Sequence, residues 1–203
     1  MISRKLSGLE LLVGMLLVTI FIAVFSTYAL VLFAKTERSA LNATVSNIKV
    51  ALRHRLLMAK IMGEDDFYLQ LNNLNPMKDM REFRTPNFAA SGDKTASVIG
   101  NEYPIVDTPS SYIGEFDDPD LTSIGTGVWY FDRSDNNLVY FVRNTEYFVG
   151  EPGVRPNIRF KVVVRYDDRD QNGEFDPAVD EFHSAEFISL HHYEWLGTTG
   201  GNE

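Results

Sequence analysis

The chain has no cysteine, and all of its prolines lie at or beyond Pro76. The first absence excludes disulfides, thiolate metal sites and cysteine nucleophiles. The second leaves the N-terminal third without the residue that breaks a helix by its own geometry. Catalytic signatures are missing too. His54, His183, His191 and His192 make no His-x-x-x-His or His-Glu-x-x-His spacing, and there is no Gly-x-Ser-x-Gly elbow or phosphate loop. The histidines read as structural or surface residues, and no enzyme activity is expected.

Positive charge is scarce where nucleic acid would need it. The net charge of −9 is unevenly spread. Residues 1–62 hold eight Lys or Arg against two acids, Glu10 and Glu37, whereas residues 63–203 hold eleven against 26. A strongly acidic C-terminal part argues against nucleic-acid binding, which wants a basic footprint. It suits cation binding or simple solubility.

What the sequence does have is a long apolar run, Leu9 to Ala34, with Glu10 as its only charge. As a helix it would extend roughly 39 Å, more than the ~30 Å hydrocarbon core of a bilayer. It exceeds the apolar region of a secretory signal peptide and has no small-x-small cleavage pattern at its end. It is therefore expected to stay as a single membrane span, 9–34, behind a short basic leader, 1–8, that carries Arg4 and Lys5. Lys35, Arg38, Lys49, Arg53 and Arg55 follow the span. The positive-inside count thus does not itself place the head outside, although long downstream domains translocate largely regardless of charge. Ser7-Gly8-Leu9-Glu10 fits a capping box. Glu10 is then either a carboxylate favoured by the helix dipole or a charge just inside the bilayer that must find a cationic partner.

Beyond Ala34 the pattern turns amphipathic without a break. Leu41, Val45, Ile48, Leu52, Leu56, Ala59 and Met62 recur at spacings of three and four and make one apolar stripe. Gly63 follows as a natural C-cap. The spacing predicts a stem helix over 35–62, continuous with the span.

The segment Ser7-Gly8-Leu9-Glu10-Leu11-Leu12-Val13, behind Arg4 and Lys5, resembles the signature of type IV pilins and type II secretion pseudopilins. In that family a short basic leader ending in Gly precedes a hydrophobic helix with an early Glu, a soluble stem half and a β-sheet head. The resemblance covers residues 9–62 in length and character and the head in outline. It implies a prepilin peptidase acting near Gly8-Leu9, methylation of the new N-terminus, and Glu10 pairing with a neighbour's terminal amine during assembly. The spacing departs from the family pattern. A cut after Gly8 leaves Glu10 second in the mature chain, and the usual fifth place would put Lys5 before the cut.

Residues 63–203 are expected to form a β-rich head. The proline-scattered stretch 64–124 reads as irregular, with a short helix near Asp65–Leu74. Val128–Phe131 and Leu138–Val142, flanking the turn-rich Asp132–Asn137, read as a β-hairpin. Asn157–Tyr166 and Phe182–Trp195 supply two more strands, and Gly197–Glu203 a loose tail. The fold class is α+β: a long transmembrane and stem helix packed on a small antiparallel sheet, pilin-like in outline.

The chemical motif of the head is the loop 168–180. Asp168, Asp170 and Asn172 alternate before Gly173, and Glu174, Asp176 and Asp180 follow. Oxygen ligands in this pattern can converge on one Ca²⁺, with Glu174 giving its main-chain carbonyl and Asp180 completing the shell. Val179 stands where an EF-hand needs its bidentate Glu, so a strand–loop–strand site with a structural ion is the expectation. A solvated acidic turn is the plainer alternative.

The chain is thus expected to be a structural subunit, a minor one, of a type IV pilus-like or type II secretion filament. It would sit single-pass in a bacterial inner membrane with its head in the periplasm, and then join a periplasmic or extracellular filament. Its partners would be other pilin or pseudopilin subunits, a prepilin peptidase and inner-membrane lipid, with no nucleic acid. The alternative is a signal-anchored monomeric binding or sensor module.

Overall fold

The computed structural model describes residues 8–80, 108–152, 154–176 and 178–197. Arg4, Lys5 and the Ser7 half of the expected capping box lie outside them, as do residues 81–107 of the stretch read as irregular and the tail beyond Gly197.

Helix α1 (Gly8–Met62) is one unbroken helix of 55 residues, about 80 Å long. The expected division at residues 34 and 35 is a change of surroundings and leaves the backbone regular. Residues 8–28 are exposed on every face, and the first buried residue is Ala34. Among the described residues α1 is the one helix long and apolar enough to cross a membrane. Within the apolar run, Thr19 and Thr27 turn their hydroxyls back onto the carbonyls of Met15 and Val24, each at 2.8 Å. These polar groups are therefore satisfied inside the helix, as hydrocarbon surroundings demand.

Higher up, the apolar stripe packs on the head as its spacing predicts. Leu41, Ile48, Leu52 and Ala59 are buried, and Val45 and Leu56 pack against them. The helix ends at Gly63, whose φ of +67° is left-handed. The Glu64 N–H then reaches the Ala59 carbonyl at 2.9 Å, which closes a Schellman cap. Helix α2 (Asp65–Gln70) and a 3₁₀ turn, Leu71–Asn73, follow where a short helix is expected. Arg55 pins this corner, pairing with Glu64 at 2.6 Å and lying 4.1 Å over the Phe67 ring.

The strands are β1 (Tyr112–Phe116), β2 (Val128–Asp132), β3 (Asn137–Phe141), β4 (Phe148–Val149), β5 (Asn157–Asp167), β6 (Glu181–Ser189) and β7 (Glu194–Trp195). Five of them form one sheet in the order β1-β2-β3-β5-β6, and β4 pairs with β7 apart from it. The β2–β3 hairpin and β5 stand where the sequence pattern places them. Asn136 takes the left-handed turn position of the hairpin, with φ 54°.

Two expectations need correction. The sheet is mixed, because β1 runs parallel to β2. The connection between them crosses the back of the sheet, where Leu121 and Ile124 pack with Tyr130, Val139 and Phe141. That crossover returns the chain to the end where β1 began, which a tight turn cannot do. The last strand also divides. After Ser189 the chain bends, and β7 leaves the main sheet to pair with β4. Trp195 packs edge-on against Phe148 at 5.4 Å.

The sheet has a core on each face. Trp129, Phe131, Leu138, Tyr140, Ile158, Phe160, Val162 and Phe187 share one core with the α1 stripe, and the smaller core lies behind. Strands buried on both sides need no alternation. Hence Val128–Phe131 and Leu138–Phe141 read as continuous apolar runs. The eleven-residue β5 instead alternates over its first half, because only its front meets α1.

Candidate functional site

Gly8, Leu9 and Glu10 form the first turn of α1 and are exposed, with Glu10 as the acid of that turn. An added Cβ at Gly8 or Gly14 would meet nothing within 4 Å. Among the described residues, nothing covers the apolar surface from Leu9 to Tyr28.

Where this surface ends, the head begins. Glu37 lies on the buried side of α1, one turn below Leu41, the first large stripe residue, and is only 8% exposed. Its Oε1 accepts hydrogen bonds from the Tyr140 hydroxyl and the Arg143 N–H, both at 2.7 Å. Its Oε2 accepts from the Asn144 N–H at 2.9 Å and the Asn144 side-chain amide at 2.5 Å. Four donors at the end of β3 thus compensate the burial of one charge. Burial, and next the bond to Glu37, push the Tyr140 hydroxyl above its ordinary pKa. The sequence reading gave Glu37 no role. An acid in phase with an apolar stripe, at 34, 37 and 41, is the signal that marks it.

The acidic loop caps the far end of the β5–β6 hairpin. β5 starts at the Glu37 end, with Asn157 opposite Phe141, and runs up to Asp167. Phe175 anchors the loop, 5.2 Å from Tyr166 and 5.9 Å from Phe182 between ring centres. Carboxylate oxygens of Asp168, Asp170 and Asp180 lie within 4.8 Å of one another. Gly173, at φ +79°, presents its N–H to Asp168 Oδ2 at 2.8 Å. That bond comes first among the causes holding Asp168 below the usual carboxylate range. Asp180 is buried and accepts the N–H groups of Arg169 at 2.9 Å and Asp176 at 2.8 Å.

The other expected ligands hydrogen-bond within the loop. Asn172 binds Asp170 through its amide nitrogen at 2.8 Å, and its Oδ1 accepts the Glu174 N–H at 2.6 Å. Asp176 turns to the Ala178 N–H at 2.8 Å. The carboxylates of Glu174 and Asp176 stand outside the group of three.

The histidines lie apart. His183 reaches Asp167 at 2.9 Å across the hairpin, and His191 lies 3.7 Å from Glu151. His191 and His192 belong to the bend between β6 and β7 and not to a strand. The chain matches no family model, no curated protein and no solved structure.

Proposed function

We propose that the chain is a structural subunit, a minor one, of a type IV pilus-like or type II secretion pseudopilus filament. In this reading the head faces away from the cytoplasm while the helix waits in the inner membrane. Assembly then transfers the apolar surface of α1 from lipid to the helices of neighbouring pilin-like subunits. The observation that carries the reading is the exposed length of α1 from Gly8 to Tyr28, continuous with a stem that packs on the head. A long apolar rod on a compact head is the shape that such packing needs.

Glu10 would pair with the N-terminal amine of a neighbour, which makes entry of its charge into an apolar core tolerable. Gly8 and Leu9 would flank the processing site of a prepilin peptidase. The acidic loop would bind Ca²⁺ through Asp168, Asp170 and Asp180, with main-chain carbonyls and water completing the shell. The ion would offset repulsion among the three carboxylates and stiffen the hairpin tip, a structural role.

The second reading is a signal-anchored monomeric binding or sensor module. The short spacing from Gly8 to Glu10 favours it, because that spacing departs from the pilin pattern. Intact mass and N-terminal sequencing of the protein from its native membrane separate the two. A chain starting at Leu6 or Leu9 supports the filament reading, and one starting at Met1 favours the anchored module.

A further inference from the structure

A cleft of about 500 Å³ opens between α1 and the lower end of the sheet. Phe33 and Thr36 line its helix side, and Ser111, Tyr140, Arg143 and Asn144 line its head side. Its height on the molecule is set by the helix. Phe33 and Thr36 bracket Lys35, the first charge after Glu10. If residues 9–34 cross a bilayer, this is the level at which phospholipid phosphates lie.

Among the described residues, the cleft presents one cation, Arg143. The Arg143 main-chain N–H is committed to Glu37, but its guanidinium is not. Among the described residues, no carboxylate lies within 4.0 Å of that guanidinium. It lies flat over Gly127, where an added Cβ would stand 2.5 Å from Nη2. Gly127, at φ +73°, thus leaves the space that the guanidinium occupies. Glu37, the one acid among the described residues of the cleft, is occupied by its four donors. The Thr36 hydroxyl is spent on the Leu32 carbonyl at 2.9 Å, so the unspent groups are a fork of N–H donors, the nearby Ser111 side chain and, on the lipid side, the 60% exposed Phe33. A guanidinium fork matches a phosphate, and an adjacent aromatic ring suits the first methylenes of an acyl chain.

We propose that this cleft seats the phosphate of a membrane phospholipid, with Arg143 as its cation, and so fixes the height of the head above the bilayer. The inference rests on the reading of residues 9–34 as a membrane span.

The test uses the full chain in nanodiscs of phosphatidylcholine with phosphatidylglycerol, released and weighed by native mass spectrometry. Wild type retains one phosphatidylglycerol per chain. Arg143→Gln keeps the main-chain bond to Glu37, and its retention falls by about tenfold or more, as expected for a lost charge-assisted hydrogen bond. Arg165→Gln, which removes an exposed pair with Glu186 on the far part of the sheet, retains the lipid. Unchanged melting of Arg143→Gln shows that the head is intact. Equal retention by wild type and Arg143→Gln, or none by wild type, overturns the inference. Displacement of the lipid by free glycerol phosphate overturns the lipid as the source of the phosphate. Alkaline extraction tells the two readings apart. An inserted chain that holds no lipid overturns the cleft alone, and a chain that does not insert overturns the membrane span together with it.

Discussion

The Tyr140 hydroxyl donates to Glu37 Oε1 at 2.7 Å, across 103 positions of sequence. This bond joins the stem to the end of β3 at the level where α1 passes from exposed to packed. Glu37 also holds three N–H groups of residues 143 and 144. Glu37→Ala would leave these donors facing a void, a cost of about 3 kcal/mol or more. Glu37→Gln keeps one acceptor and should lose less. Tryptophan fluorescence during urea unfolding reads both variants, because Trp129 and Trp195 are each buried in the head. An Ala variant as stable as wild type would show that the site contributes nothing to docking.

The two sides of the stem should behave differently. Ile48 is fully buried against the sheet, whereas Leu57 is 55% exposed. Ile48→Ala should destabilise the head by about 2–5 kcal/mol through lost burial and a residual cavity. Leu57→Ala should leave the monomer within about 0.5 kcal/mol of wild type. If α1 packs against neighbours, Leu57→Ala should nonetheless reduce filament yield. Equal effects of both substitutions on monomer unfolding would contradict this division.

Much of this arrangement was legible in the sequence, and the failures have physical causes. The stripe from Leu41 to Ala59 announced the docked face, Gly63 announced the helix end, and two apolar runs around Asp132–Asn137 announced the hairpin. These signals are local, carried by periodicity, a left-handed glycine and turn residues. β1 was not legible, because its support is distant. The Asn75 amide donates to the Tyr112 hydroxyl at 2.9 Å and to Glu115 Oε1 at 2.7 Å, linking the turn after α2 to that strand. The strand itself contains Gly114 at φ +116°, which weakens any β pattern. In the acidic loop the spacing found three carboxylates that do meet. Asn172 Oδ1 and Asp176 Oδ1 accept main-chain N–H groups of their own turns, as Asn and Asp side chains commonly do.

Calcium should raise the melting temperature of the wild-type head. Saturation to about a hundred times the dissociation constant would add about 2.7 kcal/mol. Asp170→Asn is the informative variant, since Asp170 is exposed whereas Asp180 is buried and supports the loop without metal. It should melt like wild type in chelator and gain little from added calcium. A wild type indifferent to calcium in thermal scans would leave the loop a solvated acidic turn.

Acid should weaken the β1 edge through Glu115. The Asn75 amide is the first cause holding this carboxyl below its ordinary 4.5, with burial opposing and Lys78 and Arg133 assisting. A carboxyl whose pKa is lowered on folding contributes stability above its unfolded value. That contribution is lost as pH falls through the folded value. Glu115→Gln should therefore melt below wild type at neutral pH, by no more than about 1 kcal/mol after solvent screening. The gap should close on acidification. A gap that is constant from neutral pH to well below 4.5 would exclude this linkage.

The central claim is that the bare face of α1 is covered by the helices of neighbouring subunits. Because the chain has no cysteine, a Val18→Cys variant carries a single thiol, on an exposed position midway along the apolar run. A photo-crosslinker attached there, activated in the native envelope, reports directly what lies against the helix. The account predicts protein adducts whose partner is another subunit with an N-terminal apolar helix, reduced about tenfold or more when Glu10→Ala removes the pairing charge. Adducts with lipid alone, unchanged by Glu10→Ala, would contradict it and leave the chain a solitary membrane anchor.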